Sequence, residues 1–157
     1  MMSLEHYGPI FDLLADAGLR LDADDLENWV ECFEEEATYK VLSRENVVRN
    51  LPLPLFRCDS KAMLRDRVLS LRKANVSNPH RDCHVTGLPR ITCNDDGSLA
   101  AHSSYALYQI NNEGAARLFS VGAYVDRIRL SDGKARFLDR TVIVDMFSVP
   151  TMLSTPI

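Results

Sequence analysis

Residues 117–148 decide the fold of this chain. The segment RLFSVGAYVDRIRL at 117–130 leads into the polar turn SDGK at 131–134, and ARFLDRTVIVDMFS follows at 135–148. Both flanking segments are dense in β-branched and aromatic residues, and an Asp-Gly pair between such segments is a strong β-hairpin signal. The stretch therefore predicts two long antiparallel strands joined by a tight turn.

Two more turn signals precede this hairpin. They are DDGS at 95–98 and NNEG at 111–114, and each combines glycine with polar residues that favour turns. The three turns separate four β-rich segments, at about 83–93, 99–110, 117–130 and 135–148. Several exceed the usual strand length of about 5–6 residues, and strands that long must twist and curl. We therefore predict a four-stranded antiparallel meander.

The first half of the chain is predicted to be mainly helical. Its predicted elements are a helix over 4–17 ended by Gly18, a helix capped by Asp22 or Asp24, a strand over 37–42, a loop over 43–59, and a helix from Asp59 or Ser60 to about Asn75. Helices from one half packed on a curled sheet from the other predict an α+β cone. We expect residues 1–157 to form this as a single domain, with N-terminal helices on a curved antiparallel sheet.

The composition is that of a soluble globular domain. The chain has 157 residues, a formal net charge of −4, 46% hydrophobic residues and 25% charged residues. We expect no nucleic-acid or membrane partner, because the net charge is negative and no apolar run approaches the roughly 18 residues of a membrane span. The N-terminus lacks the pattern of a secretory signal. Four cysteines without a C-x-x-C motif predict reduced thiols and a cytoplasmic location.

Both faces of the predicted sheet carry apolar residues. Along 135–148, Val142 and Val144 share one face, while Phe137 and Ile143 share the other. A sheet with one face in solvent would alternate apolar and polar residues more cleanly. We expect the outer face to be covered, either by the chain's own helices and tails or by another subunit.

Arg67 falls inside the apolar arc of the third predicted helix, between Met63 and Leu71. A guanidinium that faces a core must be paired and hydrogen-bonded. Two interpretations stay open. The stem packs and the head reaches an edge, or Arg67 forms a structural ion pair with a strand carboxylate, for which the candidates are Asp126, Asp139 and Asp145.

One cluster has the composition of a metal site. His80, Asp82 and His84 would share a face of an extended strand, and two imidazoles with a carboxylate are the ligand set of a mononuclear iron site. Neighbours on one face of a straight strand lie about 6–7 Å apart, which is too far for one ion unless the chain bends. We therefore favour a strand entry with His84 hydrogen-bonded near the core, and expect no metal or cofactor on this chain.

Acid–base chemistry inside the cone is the other alternative. A buried His–carboxylate dyad could come from a set of side chains on the predicted strands. The set is His84, His102, Tyr105, Tyr108, Tyr124, Asp126, Asp139 and Asp145. Sequence alone does not say which of them point inward, and structural hydrogen bonding between sheet and helix is the favoured interpretation. No P-loop, dinucleotide fingerprint or nucleophile elbow is present.

Two segments are too apolar for plain solvent exposure and are candidates for an interface with a partner. The first lies in the predicted loop and the second at the end of the given sequence. A terminal segment is poorly ordered unless contacts hold it in place. Their members are Leu51, Leu53, Leu55 and Phe56, and Met152, Leu153, Pro156 and Ile157.

Six stretches, in chain order, carry a family resemblance. The most specific is SKAMLRDRV at 60–68. The others are WVECF at 29–33 followed by ATY at 37–39, HVTGLPRI at 84–91, FSVGAYVD at 119–126, LDRTVIVD at 138–145, and the final PI. The ordered set resembles the small (β) subunits of Rieske-type aromatic-ring-hydroxylating oxygenases. One departure is Cys83, where an arginine is common in the family.

The resemblance implies a cystatin-like, NTF2-like α+β cone without metal, cofactor or catalytic residue. It implies a large (α) subunit that carries a Rieske 2Fe–2S cluster and a mononuclear Fe(II), a usual α3β3 assembly, and electron supply from ferredoxin and reductase. The segment 44–53 most resembles members that act on aromatic carboxylates such as salicylate. The competing hypotheses are a stand-alone isomerase or dehydratase with a His/Asp dyad, and a non-enzymatic dimer that carries a ligand.

Overall fold

The computed structural model describes residues 4–51, 53–74, 79–145 and 155–157, which form four helices and one seven-stranded sheet. The helices are α1 Leu4–Asp22, α2 Leu26–Val30, α3 Arg44–Val48 and α4 Lys61–Ala74. The strands are β1 Phe33–Ser43, β2 Phe56–Cys58, β3 His80–Thr86, β4 Arg90–Cys93, β5 Leu99–Asn111, β6 Ala116–Ser131 and β7 Lys134–Val144.

The predicted meander is confirmed, with one difference. β5, β6 and β7 are antiparallel neighbours, in a sheet of order β2-β1-β7-β6-β5-β3. The first predicted strand is divided into β3 and β4, which are separated by residues 87–89. Each of them pairs with β5. Pro89 has no N–H to donate to a ladder, so the strand breaks there.

The predicted turns take the backbone conformations that their glycines allow. Asp132 and Gly133 both have positive φ, at 52° and 73°, which is the pattern of a type I′ hairpin turn between Ser131 and Lys134. Gly97 and Gly114 are also left-handed, each with a φ of 81°. The turn chemistry therefore sets the registers of both long hairpins.

The prediction that Gly18 ends the first helix is wrong, because α1 continues to Asp22. Its apolar face continues past the glycine, because Ala17 and Leu21 are buried together with Ile10 and Leu14. A Cβ at Gly18 would lie 3.7 Å from the Cβ of His84. The glycine thus lets α1 lie close against β3 and does not stop the helix.

The sheet is extended by two strands that local sequence signals describe poorly. The predicted short strand at 37–42 is the 11-residue β1, which runs parallel to β7 with an irregularity between Phe33 and Thr38. The predicted loop over 43–59 contains α3 and β2. Ser43 caps α3 by accepting a hydrogen bond from the Asn46 N–H at 3.2 Å.

The core lies between the inner face of the sheet and the helices. Alternate residues of β5, from Leu99 to Leu107, are buried, and the residues between them are not. The largest fully buried side chains are aromatic: Trp29, Phe33, Tyr39 and Phe137. Helices packed on one face of a curled, mostly antiparallel sheet make the predicted cystatin-like, NTF2-like α+β cone.

Candidate functional site

A buried ion pair occupies the interior of the cone. The Asp126 side chain is 1% exposed and the Arg140 side chain 3% exposed, and the two residues are directly opposite each other on β6 and β7. Arg140 Nε donates to Asp126 Oδ1 at 2.9 Å and Nη2 donates to Oδ2 at 3.0 Å. This is the bidentate geometry in which a guanidinium and a carboxylate satisfy each other best.

Two aromatic rings enclose the guanidinium of this pair. The Arg140 carbon Cζ lies 4.0 Å from the centroid of the Tyr124 ring and 4.4 Å from that of Phe137. Burial raises the pKa of Asp126 against the opposing pull of Arg140. Burial alone would lower the pKa of Arg140, but the Asp126 carboxylate more than offsets it, so the pKa is raised. The pair is therefore a sealed structural element.

Three interior tyrosines surround this pair, and burial keeps their hydroxyls protonated. The rings of Tyr105 and Tyr124 stack with centroids 4.6 Å apart, and Tyr105 Oη lies 2.8 Å from Ser120 Oγ. Burial raises the pKa of Tyr105 to about 12 and moves the pKa values of Tyr39 and Tyr124 upward as well. A phenol with a raised pKa is a poor general base near neutral pH.

The structure contains a His–carboxylate dyad, but its carboxylate is not one of the predicted strand aspartates. His84 Nδ1 lies 2.5 Å from Oδ1 of Asp22, at the end of α1, and the His84 backbone N–H donates to both carboxylate oxygens at 3.0 Å. The His84 side chain is only 2% exposed. This contact ties α1 to the edge strand β3, so it has an evident structural role.

The other predicted metal ligands and acid–base groups make separate pairings. His80 Nε2 lies 3.3 Å from Asp82 Oδ1, while His84 binds Asp22 instead. Across the ranges that the structure describes, no group of three or more His, Cys, Asp or Glu residues could hold a metal ion. His102 and Tyr108 are exposed and lie on the opposite face of β5 from its buried residues.

The candidate partners of Arg67 each have another partner. Asp126 binds Arg140, Asp145 binds Arg44 with Nε and Oδ1 2.6 Å apart, and Asp139 accepts hydrogen bonds from the hydroxyls of Thr38 and Thr141. Arg67 is half-buried, and its Cζ lies 5.1 Å from the centroid of the Phe56 ring. The guanidinium therefore stacks on an aromatic ring, and its pairing with a strand carboxylate stays a prediction.

The two predicted interface segments differ in exposure. Leu51, Leu53 and Leu55 are 44%, 70% and 52% exposed, next to Val48 at 77%. Phe56 is half-buried against Tyr39. Pro156 and Ile157 are buried within this chain, while Met152 and Leu153 lie outside the described residues. We define Val48, Leu51, Leu53 and Leu55 as the leucine loop, which combines the three exposed leucines of the predicted surface with the adjacent Val48.

Further apolar exposure lies on the outer face of the sheet. Val85, Tyr108, Leu118 and Val125 are 38–54% exposed on β3, β5 and β6. The register places Tyr108 opposite both Cys83 and Leu118. The sequence prediction of a sheet with apolar residues on both faces agrees with this arrangement.

Sequence reasoning missed the two residues that organise the interior, Arg140 and Asp22. Asp22 was expected only as a helix cap. Arg140, Val142 and Val144 are two positions apart along β7 and share one face of the strand. The inward direction of Arg140 therefore follows from strand periodicity once the buried face is known. Asp22 carries no comparable signal, because its contact with His84 spans 62 positions.

These observations define a class: an NTF2-like cone whose polar interior groups pair with one another. The family described as ring hydroxylating beta subunit matches residues 16–151. The chain therefore belongs to the family of β subunits of aromatic-ring-hydroxylating oxygenases.

Relatives and solved structures agree with this assignment. The small subunit of anthranilate 1,2-dioxygenase from Burkholderia cepacia is 36% identical over 137 residues, covering 87% of this chain and 85% of the relative. The β1 subunit of the terminal oxygenase component of terephthalate 1,2-dioxygenase from Comamonas is 31% identical, covering 87% and 89%. A structure assigned as the β subunit of an aromatic-ring-hydroxylating dioxygenase from Novosphingobium aromaticivorans superposes with a TM-score of 0.86 at 43% identity, covering 95% of both chains.

Within the described residues, no helix is long and apolar enough to cross a membrane.

Proposed function

We propose that this chain is a non-catalytic structural subunit of a Rieske non-heme iron oxygenase, and that it supports a trimer of large (α) subunits. The observation that carries the proposal is the sealed Asp126–Arg140 pair between Tyr124 and Phe137. An acid or base needs contact with a substrate, whereas within the described residues the hydrogen bonds of this carboxylate and guanidinium join them to each other.

The redox chemistry then belongs to the partner. The family resemblance supports an α3β3 assembly in which the α subunit holds the 2Fe–2S Rieske cluster and the mononuclear Fe(II), with ferredoxin and reductase supplying electrons. The pairing of His80 with Asp82 and of His84 with Asp22 supports a structural role for these side chains. A cytoplasmic location follows from the same proposal.

We propose an aromatic carboxylate, such as salicylate, as the substrate of the assembled oxygenase. Two relatives are named for anthranilate and terephthalate. Both compounds are benzene rings that carry a carboxylate, so the shared chemistry is a ring anchored by that group. Product analysis of the assembled oxygenase with salicylate, anthranilate and unsubstituted benzene tests the proposal, and preferential oxidation of benzene would overturn it.

The leucine loop is the proposed contact with the large subunit. Obligate interfaces are large and rich in apolar contacts, and the leucine loop exposes four aliphatic side chains between residues 48 and 55. Leu53→Ser should lower co-purification with the α subunit. Leu19→Ser is the matched control, because Leu19 is 64% exposed, like Leu53 at 70%, but lies on α1. Equal effects of the two substitutions on assembly would remove the leucine loop from the interface.

The non-catalytic role is tested by substitutions inside the assembled complex. His84→Asn and Asp126→Asn remove the two interior groups best suited to proton transfer. Turnover should fall only as far as assembly and stability fall. If either variant keeps assembly, iron content and stability but loses turnover by about 10²-fold, the size expected for a lost general acid or base, the subunit is catalytic. That outcome for His84→Asn would favour the His84–Asp22 dyad as an active site, and for Asp126→Asn it would favour the cone interior.

A further inference from the structure

The outer face of β3, β5 and β6 carries an apolar patch. Val85, Tyr108, Leu118 and Val125 are 54%, 38%, 45% and 40% exposed, and we call these four residues the outer patch. Tyr108 lies opposite Leu118, and it is six positions along β5 from His102, which lies opposite Val125. At about 3.4 Å per residue, the patch is about 20 Å long. That is the size of the apolar centre of an interface, since a standard interface covers about 800 Å² on each partner.

The strands that carry and flank the outer patch add only positive charge to its face. β3, β4, β5 and β6 contain two acidic residues, Asp82 and Asp126, and both point to the inner face, with side chains 10% and 1% exposed. Arg81 on β3 and Arg90 on β4 are exposed, and neither forms an ion pair with another residue that the structure describes. This face is therefore basic, although the chain as a whole has a net charge of −4.

The charge of this face decides between two kinds of occupant. In a two-fold symmetric dimer the same face meets itself, so Arg81 and Arg90 of both copies would share one interface, and like charges oppose association. A different protein avoids this repulsion when its own surface is acidic. Tyrosine and arginine are also the residues in which the binding energy of such interfaces is concentrated. The occupant that fits is an apolar surface bordered by carboxylates.

We propose that the outer patch binds an apolar surface of the large subunit that is bordered by carboxylates, and that Arg81 and Arg90 pair with those carboxylates. The choice of the large subunit as partner rests on the proposed function. The outer patch is a second contact, separate from the leucine loop, because that loop adjoins β2 at one edge of the sheet and β3 is the other edge. Five strand spacings, roughly 24 Å, separate these edges, so substitutions in the two surfaces should act independently.

Cys83 reports directly on whether the outer patch is covered. It is exposed and lies opposite Tyr108, whereas Cys32 and Cys58 are buried. Alkylation with iodoacetamide followed by peptide mapping measures its accessibility in the isolated subunit and in the assembled oxygenase. Modification of Cys83 should be lost on assembly, because the centre of an interface excludes water and reagent. Equal modification of Cys83 in the isolated and assembled subunit would overturn the proposal.

The role of the arginines is tested by reversing their charge. Arg81→Glu with Arg90→Glu should raise the dissociation constant from the large subunit roughly tenfold at low salt, and the difference from the wild type should disappear near 1 M salt, where the Debye length is about 3 Å. Dilution of the assembled oxygenase measures this constant. Lys73→Glu with Lys134→Glu is the control, because both lysines are exposed on other elements and the change in net charge is the same. Equal effects of the two double variants would contradict a local contact.

The apolar contact is tested by Tyr108→Ser, which should raise the same dissociation constant roughly tenfold or more at every salt concentration. Phe11→Ser is the matched control, because Phe11 is 44% exposed on α1. If the wild type assembles and the Tyr108 and arginine variants bind equally well, the outer patch is not a contact and the proposed function stands. A wild type that never assembles with a large subunit overturns both. An isolated subunit that self-associates until Tyr108→Ser makes it monomeric would assign the patch to a second copy and overturn the proposal.

Discussion

Two regions of this molecule contain ion pairs between basic and acidic side chains, and they differ in how far those side chains are buried. Inside the cone, one arginine and one aspartate are sealed from water between two aromatic rings. On the surface, α4 is joined to α2 and β1 by a row of ion pairs. All their side chains are solvent-accessible except that of Lys61, which is 6% exposed. The bases of this row are Lys61, Arg65 and Arg72, and the acids are Asp24, Glu27, Glu31 and Glu35. We call this row the α4 ladder.

The α4 ladder helps to attach α4 to the rest of the fold, which apolar packing does for the other elements. Leu64 and Val68 are the buried apolar side chains of α4. Arg72 Nε and Nη2 bind both oxygens of Glu27 at 2.8 and 2.9 Å, and Nη1 binds Asp24 at 2.7 Å. Lys61 Nζ lies 2.8 Å from Glu31 Oε2. The small apolar area of α4 is thus supplemented by ion pairs whose acids, and whose bases Arg65 and Arg72, remain accessible to salt.

The comparison shows that burial, and not the number of ion pairs, decides what a charge contributes. A single exposed pair contributes about 0–1 kcal/mol to stability. Removing one partner of a buried pair leaves an uncompensated charge and typically costs about 3–5 kcal/mol. Loss of one interior group should therefore outweigh loss of any one exposed member of the α4 ladder.

The largest effect is expected for Arg140→Ala. It leaves the Asp126 carboxylate buried without its partner, so the free energy of unfolding should fall by about 3–5 kcal/mol. Urea unfolding of the isolated subunit measures this. Arg129→Ala is the control, because Arg129 makes an exposed pair with Glu36, and should cost less than about 1 kcal/mol.

A double variant sharpens the same result. Asp126→Leu with Arg140→Met replaces the whole pair by apolar side chains, which is often neutral or stabilising. It should recover most of the stability that Arg140→Ala loses. A double variant as unstable as the single one would show that packing of the guanidinium between Tyr124 and Phe137, and not charge, dominates.

An intermediate effect is expected at Arg67, which is half-buried over Phe56. A cation–π contact contributes about 0.5–1 kcal/mol when exposed and about 2 when desolvated. Arg67→Met keeps the stem and should cost about 1–2 kcal/mol if stacking is the main contact. A decrease of about 3–5 kcal/mol in the free energy of unfolding would indicate the buried ion pair that the sequence predicts. A decrease below about 1 kcal/mol would show that Arg67 contributes no more than an exposed side chain.

A smaller and salt-dependent effect is expected for Arg72→Ala in the α4 ladder. The loss should be about 1 kcal/mol at low ionic strength, and most of it should disappear near 1 M salt, where the Debye length is about 3 Å. Unfolding in urea at two concentrations of sodium chloride measures the difference. The neighbouring exposed Lys73→Ala is the control, and a salt-independent loss for Arg72→Ala would contradict the electrostatic account.

The smallest effect is expected from pH acting on the α4 ladder. The hydrogen bonds from Arg72 lower the pKa of Glu27 from 4.5 to about 2. A carboxylate with a lowered folded pKa contributes stability above its unfolded pKa and loses that contribution as the pH falls through the folded value. The difference in melting temperature between the wild type and Glu27→Gln should therefore shrink from pH 5 to pH 2. A constant difference would show that Glu27 acts through packing.

Local signals in the sequence determined the meander and its turns. The turns need left-handed backbone, which glycine and aspartate adopt more readily than most residues. Such residues stand at Asp132-Gly133, Gly97 and Gly114, so the hairpins follow from a few adjacent positions. The caps of α3 and α4 were equally local, with Ser43 and Ser60 accepting from Asn46 and Met63. The ordered motifs also carried the family, which the match over residues 16–151 confirmed.

Only the tertiary structure decided how the distant parts meet. The parallel pairing of β1 with β7 joins residues about a hundred positions apart, and no periodicity within β1 reveals it. The same holds for Asp22 with His84 and for Tyr39 with Ile157. The pairing of Asp126 with Arg140 depended on the register of a hairpin that contains an irregularity at Arg127 and Ile128. A side chain's partner is set by where folding brings the other strand, and a one-residue shift of register turns it to the opposite face.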